Sequence, residues 1–72
     1  MPHLIRVEPL ANGWAVRHSD VENPQVFASG AKAETAAMRL GERLADAGDT
    51  AEVRIILRDG RLAGRFVCPA VA

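Results

Sequence analysis

No tyrosine, one tryptophan and two phenylalanines occur in this 72-residue chain, too few rings for a stacking platform on single-stranded nucleic acid. Cys68 is the single cysteine, so no internal disulfide can form. An unpaired thiol accords with a reducing compartment, and the expected location is cytoplasmic. No run approaches the ~20 apolar residues of a membrane span, and Met1-Pro2-His3-Leu4-Ile5 lacks the apolar core of a signal peptide. Neither sign of charge is in excess: nine lysines and arginines balance nine aspartates and glutamates. No global field therefore draws nucleic acid, an acidic substrate or an anionic membrane. Soft ligands are scarce as well. His3, His18 and Cys68 show none of the paired spacings of a metal site, so neither a metal nor a cofactor is expected. Neither histidine has a carboxylate or cysteine at a useful spacing, which removes a general base. There is no phosphate-binding loop, no Gly-x-Gly-x-x-Gly and no Ser/His/Asp set. No catalytic residue is expected, and the chain reads as a non-enzyme.

What remains is a single domain spanning 1–72. A domain of this size buries only about 60% of the surface its unfolded chain exposes. One such core rarely supplies more than ~3–5 kcal/mol, so a staple, a metal or a partner subunit is expected. With disulfide and metal removed, homodimerisation is the remaining route.

Apolar alternation over 4–10 predicts a first strand, with Ile5 and Val7 on one face and Arg6 and Glu8 on the other. Asn12-Gly13 predicts a tight hairpin that pairs Ala11 with Trp14, Pro9 with Val16, Glu8 with Arg17 and Val7 with His18. Pro9 cannot donate to a ladder and so belongs at an edge or at a non-hydrogen-bonded site. Trp14 shares a face with Val16 and reads as a lid on the core. A loop at 20–24 leads to a short third strand, Gln25-Val26-Phe27-Ala28. A helix over 31–47 carries Ala33, Ala36, Ala37, Leu40, Leu44 and Ala47 in one stripe, with Gly41 at its border, Ser29 as N-cap and Gly48 as stop. The small side chains let the helix axis approach a sheet closely.

The last third, Glu52-Val53-Arg54-Ile55-Ile56-Leu57-Arg58-Asp59-Gly60-Arg61-Leu62-Ala63-Gly64-Arg65-Phe66-Val67, predicts a second hairpin on Asp59-Gly60 with a type I′ turn. Arg58 then faces Arg61, Leu57 faces Leu62, Ile55 faces Gly64, Arg54 faces Arg65 and Val53 faces Phe66. The order is β-β-β-α-β-β, an α+β domain with one antiparallel sheet and a single helix packed on one face. Arg54, Arg58, Arg61 and Arg65 share the polar face of the hairpin. Like charges placed opposite one another are mildly destabilising, which points to an anion between them: phosphate, or a partner's carboxylates. A solvated face neutralised by Glu8, Glu52 and Asp59 is the alternative. Ile56 and Val67 lie among the arginines and are the expected dimer contact. The resulting expectation is a small homodimeric interaction module whose basic hairpin face meets an acidic protein, or alternatively nucleic acid.

Val7-Glu8-Pro9, Asn12-Gly13-Trp14-Ala15-Val16-Arg17, Lys32-Ala33-Glu34 and Arg58-Asp59-Gly60-Arg61-Leu62 together resemble the bacterial domain of unknown function numbered 2188. The likeness spans most of the chain and implies a fold but no biochemistry. Ala31 and Thr35 depart from its helix start, where Thr-x-x-Glu-Ala is usual. A meander leading into an alanine-rich helix with Glu34 near its start is more loosely similar to HicB-type antitoxin domains, which would imply a regulatory role. Their Pro-Asp-Leu-Pro-Gly loop is not matched by Ser19-Asp20-Val21-Glu22-Asn23-Pro24. Pro2, exposed by removal of Met1, is faintly similar to the general base of tautomerases, but a hairpin before the helix is foreign to their element order.

Overall fold

The computed structural model describes residues 2–71. Its elements are β1 (His3–Leu10), β2 (Gly13–His18), β3 (Gln25–Phe27), α1 (Gly30–Asp46), β4 (Ala51–Ile56) and β5 (Leu62–Cys68). This is the α+β order read from the sequence. The five strands form a single sheet in the order β3-β2-β1-β4-β5, and α1 lies on one face, mainly over β1, β2 and β4.

The sheet is mixed and not antiparallel throughout, because β1 and β4 pair in parallel. The cause is directional. β1 and β3 each run against β2, so they run the same way. The 17 residues of α1, about 26 Å of helix, then carry the chain back to the end where β1 starts. β4 therefore runs with β1 and β3. β2 is already flanked on both sides, and β5 lies outside β4 rather than between β1 and β4, so the sheet contains a parallel pair. β4 takes the free edge of β1.

The first hairpin differs in register from expectation. Leu10 faces Gly13 and Val7 faces Val16, so the turn is Ala11-Asn12 and the pairing is displaced by two residues. A slip of two keeps every side chain on its face. Gly13 is a strand residue here, and a Cβ on it would stand 2.6 Å from the Phe27 carbonyl oxygen. The glycine serves the close approach of β3 rather than the turn. Glu8 and Arg17 still form an ion pair, across the diagonal instead of directly. Pro9 lies beyond Val7, the last β1 residue paired with β4, so on that side its missing N–H breaks no ladder.

The second hairpin keeps the expected pairs Val53–Phe66, Arg54–Arg65 and Ile55–Gly64. Its turn is different. Positive φ among the described residues is confined to glycines, with Gly60 at +87°, so Asp59 cannot serve a type I′ turn. The Gly60 N–H donates to the Leu57 carbonyl at 2.9 Å, and the Leu57 N–H donates to the Arg61 carbonyl at 2.8 Å. Arg58-Asp59-Gly60 is thus a three-residue loop closed by a left-handed glycine. A register shift at Ile55/Ile56 absorbs the added residue and pairs Ile56 with Leu62. Leu62 is thereby turned to the outer face, away from α1, rather than lying opposite Leu57 on the apolar side.

Ile5, Val7 and Val53 are the largest fully buried side chains. α1 meets them with Ala33, Ala37, Gly41 and Ala45, a stripe rotated from the expected one. Gly41 lies at its centre, while Ala47 is exposed. Met38, Leu40, Leu44, Trp14 and Phe27 pack around this core half-buried. Trp14 is the expected lid, its ring resting where a Cβ on Gly30 would be, at 3.1 Å. The Ser29 Oγ accepts from the Lys32 N–H at 3.2 Å as N-cap. At the other end Gly48, with φ +96°, donates to Ala45 at 3.0 Å, and Asp49 donates to Leu44 at 2.9 Å. These two bonds are a Schellman motif. No helix among the described residues is long and apolar enough to cross a membrane.

Candidate functional site

The four arginines singled out in the sequence do not share a face. Arg54 and Arg65 do lie opposite each other, but the space between them is filled from within the chain. Glu52 accepts from the Arg65 Nη2 at 2.8 Å and from the Arg54 Nε. These two guanidiniums hold its carboxyl below the ordinary carboxylate range, the Arg65 bond contributing most. Arg61 turns back onto Asp59, with 2.6 Å between Nε and Oδ2. The Arg61 backbone N–H and then its side chain likewise hold the Asp59 carboxyl low. Arg58 leaves the hairpin face entirely. Its Nη1 donates to the Leu10 carbonyl at 2.9 Å, near the end of β1 where β4 no longer pairs. Its guanidinium carbon stands 5.6 Å from the Trp14 ring centroid, a cation–π contact.

A different set of arginines is assembled instead. Arg17 faces Arg6, Arg6 faces Arg54, and Arg54 faces Arg65. One row of four guanidinium side chains therefore crosses β2, β1, β4 and β5 on the outer face. At the usual strand spacing this row spans about 14 Å. Glu8 neutralises Arg17, and Glu52 is shared by Arg54 and Arg65. Arg6 is exposed and forms no ion pair among the described residues. Trp14, Phe27 and Phe66 all belong to the helix side of the sheet, as their pairings and contacts show.

Ile56 and Val67, the expected dimer contact, both lie on the outer face near the row, Ile56 beside Leu62 and Val67 opposite Glu52. Ile56 is half-buried. Val67 is 49% exposed, as are Leu62 at 52% and, on the helix side, Phe66 at 46%. β5 is thus an edge strand with exposed apolar side chains on both of its faces.

The structure also brings together residues that sequence spacing keeps apart. His3 opens β1 and His18 closes β2, and their rings stand 4.9 Å apart between centroids at 48°. The His3 Nδ1 lies 2.9 Å from the His18 Nε2 and 2.9 Å from the Asp20 Oδ2. The His3 Nε2 is 3.6 Å from the Asp49 Oδ2. The surrounding backbone is tied: the Ser19 N–H donates to the Leu4 carbonyl at 2.9 Å, and the His3 N–H donates to the Thr50 carbonyl at 2.9 Å. Sequence spacing offers neither histidine a carboxylate, yet the fold brings Asp20 and Asp49 to His3. For Asp20 the cause is the hairpin register. With Ile5 facing His18, His3 falls opposite Asp20, whereas the register read from Asn12-Gly13 places it two residues away.

No protein-family model, curated protein or solved structure matches this chain.

Proposed function

We propose that this chain is a small interaction module that binds an acidic protein surface across the outer face of its sheet and acts as a homodimer joined through β5. The arginine row carries the first part. Four like charges in one cross-strand row oppose folding unless counter-charge is supplied. Glu8 and Glu52 supply half of it, which leaves two positive charges, one on Arg6 and one shared by Arg54 and Arg65. Arginine presents a planar fork that grips carboxylates bidentately, and such contacts are charge-assisted. Phosphates would fit the same forks. Bases would find no ring on this face, which favours a protein partner over single-stranded nucleic acid. The experiment is fluorescence anisotropy with a labelled polyglutamate peptide and a labelled oligonucleotide of equal charge. Binding of the peptide at low salt, weakened roughly tenfold by Arg6→Ala through loss of one charge-assisted contact, is the expected result. Tighter binding of the oligonucleotide, or no binding of either, overturns the reading.

β5 supports the second part. Natural edge strands are kept short or blunted by proline, lysine or inward charge. β3, three residues long and preceded by Pro24, follows that rule. β5 departs from it in length and apolar exposure: it runs seven residues, Leu62–Cys68, with no proline, lysine or acid, and only Arg65 and the register shift near Leu62 interrupt it. Apolar residues on both faces are the pattern of an interior strand. A second copy added antiparallel about a two-fold axis places β5 in that setting.

A further inference from the structure

We propose that His3, His18 and Asp20 bind a divalent transition-metal ion of the zinc class, and that the ion staples the start of β1 to the end of β2 and the turn that follows it. The donor atoms of the three residues all lie within 4.8 Å of one another. Two of the separations, His3 Nδ1 to His18 Nε2 and His3 Nδ1 to Asp20 Oδ2, are 2.9 Å. Donors around a tetrahedral zinc at ~2.0–2.1 Å stand about 3.3 Å apart, so each pair needs to open by only a few tenths of an ångström. Two imidazoles and a carboxylate are a zinc-type donor set, whereas calcium and magnesium favour oxygen ligands alone.

Asp49 lies on the other side of the His3 ring, its Oδ2 3.6 Å from Nε2. With the metal on Nδ1, the remaining ring N–H is directed at this carboxylate, the outer-shell arrangement that orients a ligating imidazole.

The ligands come from two places: the first residue of β1, and the end of β2 with its following turn. An ion holding them adds a side-chain cross-link to the backbone bonds already present at this end of the sheet. That is the device a domain with so small a core lacks.

The test is isothermal titration of the untagged full chain with zinc chloride, with cobalt(II) as a spectroscopic substitute and thermal unfolding as an independent readout. One ion per chain, tetrahedral d–d bands with cobalt and a raised Tm with zinc are expected. Asp20→Asn, a surface change that leaves the fold intact, should weaken binding at least tenfold, in line with the loss of one ligand. The double variant His3→Ala/His18→Ala should abolish it. No zinc binding at millimolar concentration overturns the proposal. So does binding that survives the double histidine variant, and binding lost only in Cys68→Ala, which assigns the metal to the thiol. The site lies two strands from β5, so zinc affinity should be the same in a variant that cannot dimerise.

Discussion

Glu52 sits between Arg54 and Arg65 with both carboxylate oxygens engaged. Its carboxyl is held below the ordinary value of 4.5, first by Arg65 and then by Arg54. A group whose folded pKa is depressed contributes stability that is fully present above its unfolded value and is lost as pH falls through the folded value. Acidification below about pH 4.5 should therefore remove the contribution of Glu52 and leave two guanidiniums facing each other. Glu52→Gln removes the titration while keeping the shape. Urea unfolding from pH 7 to pH 3 should show the wild-type chain more stable than the variant at neutral pH. The gap should narrow as pH falls through the acid range. A constant gap across that range would show that the carboxylate acts by packing and not by charge. Asp59, held low by Arg61, titrates alike in both proteins and cancels from the comparison.

The contact of α1 with the sheet depends on the absence of a side chain at Gly41. A Cβ there would meet the Cys68 Sγ at 2.9 Å and the Val53 Cγ2 at 3.4 Å. Two opposing effects follow from Gly41→Ala. Alanine raises helix propensity by about 1 kcal/mol, and overpacking costs ~1–3 kcal/mol. The second should win, giving a net loss of about 1 kcal/mol by chemical denaturation. In a Cys68→Ala background the sulfur is gone, and the same substitution should become neutral or stabilising by up to about 1 kcal/mol. A sign that does not change between backgrounds would place the strain elsewhere. The composition announces that α1 is small-sided, and Ser29 and Gly48 mark its ends where they are found. The return path of α1 makes β4 run with β1, but nothing local in the sequence says that β4, and not β5, lies beside β1. Asn12-Gly13 misleads because Gly13 answers to Phe27, a contact between strands that no local pattern records. That two-residue slip hides both the facing of Arg6 with Arg17 and that of His3 with Asp20. The other half of the arginine row, Arg6 beside Arg54, needs the parallel pairing of β1 with β4. Arg54 opposite Arg65 was legible because the register shift falls beyond it, at Ile55/Ile56. For the same reason Leu62 and Arg58 were not.

At the scale of the molecule, the core is thin: among the described residues only Ile5, Val7 and Val53 are large side chains buried in full, and the helix contributes alanines and a glycine. A folded monomer of 7.7 kDa is expected to expose about 4,300 Å², and this chain exposes 4753 Å². The excess of roughly a tenth is in keeping with an elongated molecule of 39 × 21 × 19 Å, and Leu62, Phe66 and Val67 along the β5 edge are apolar side chains that a partner would bury. A partner that binds only the folded chain stabilises it by mass action, so the stability of a dimer depends on protomer concentration. The wild-type Tm should rise by about 3–5 °C for each tenfold increase in concentration, and sedimentation should give a dimer whose mass falls on dilution. Leu62→Lys with Val67→Lys alters two exposed side chains on the outer face of β5, leaves the core untouched and should give a folded monomer whose Tm does not move with concentration. A wild-type chain that sediments as a monomer at high micromolar concentration, with a concentration-independent Tm, would mean that β5 stays an open edge and that the three large buried side chains hold the fold unaided.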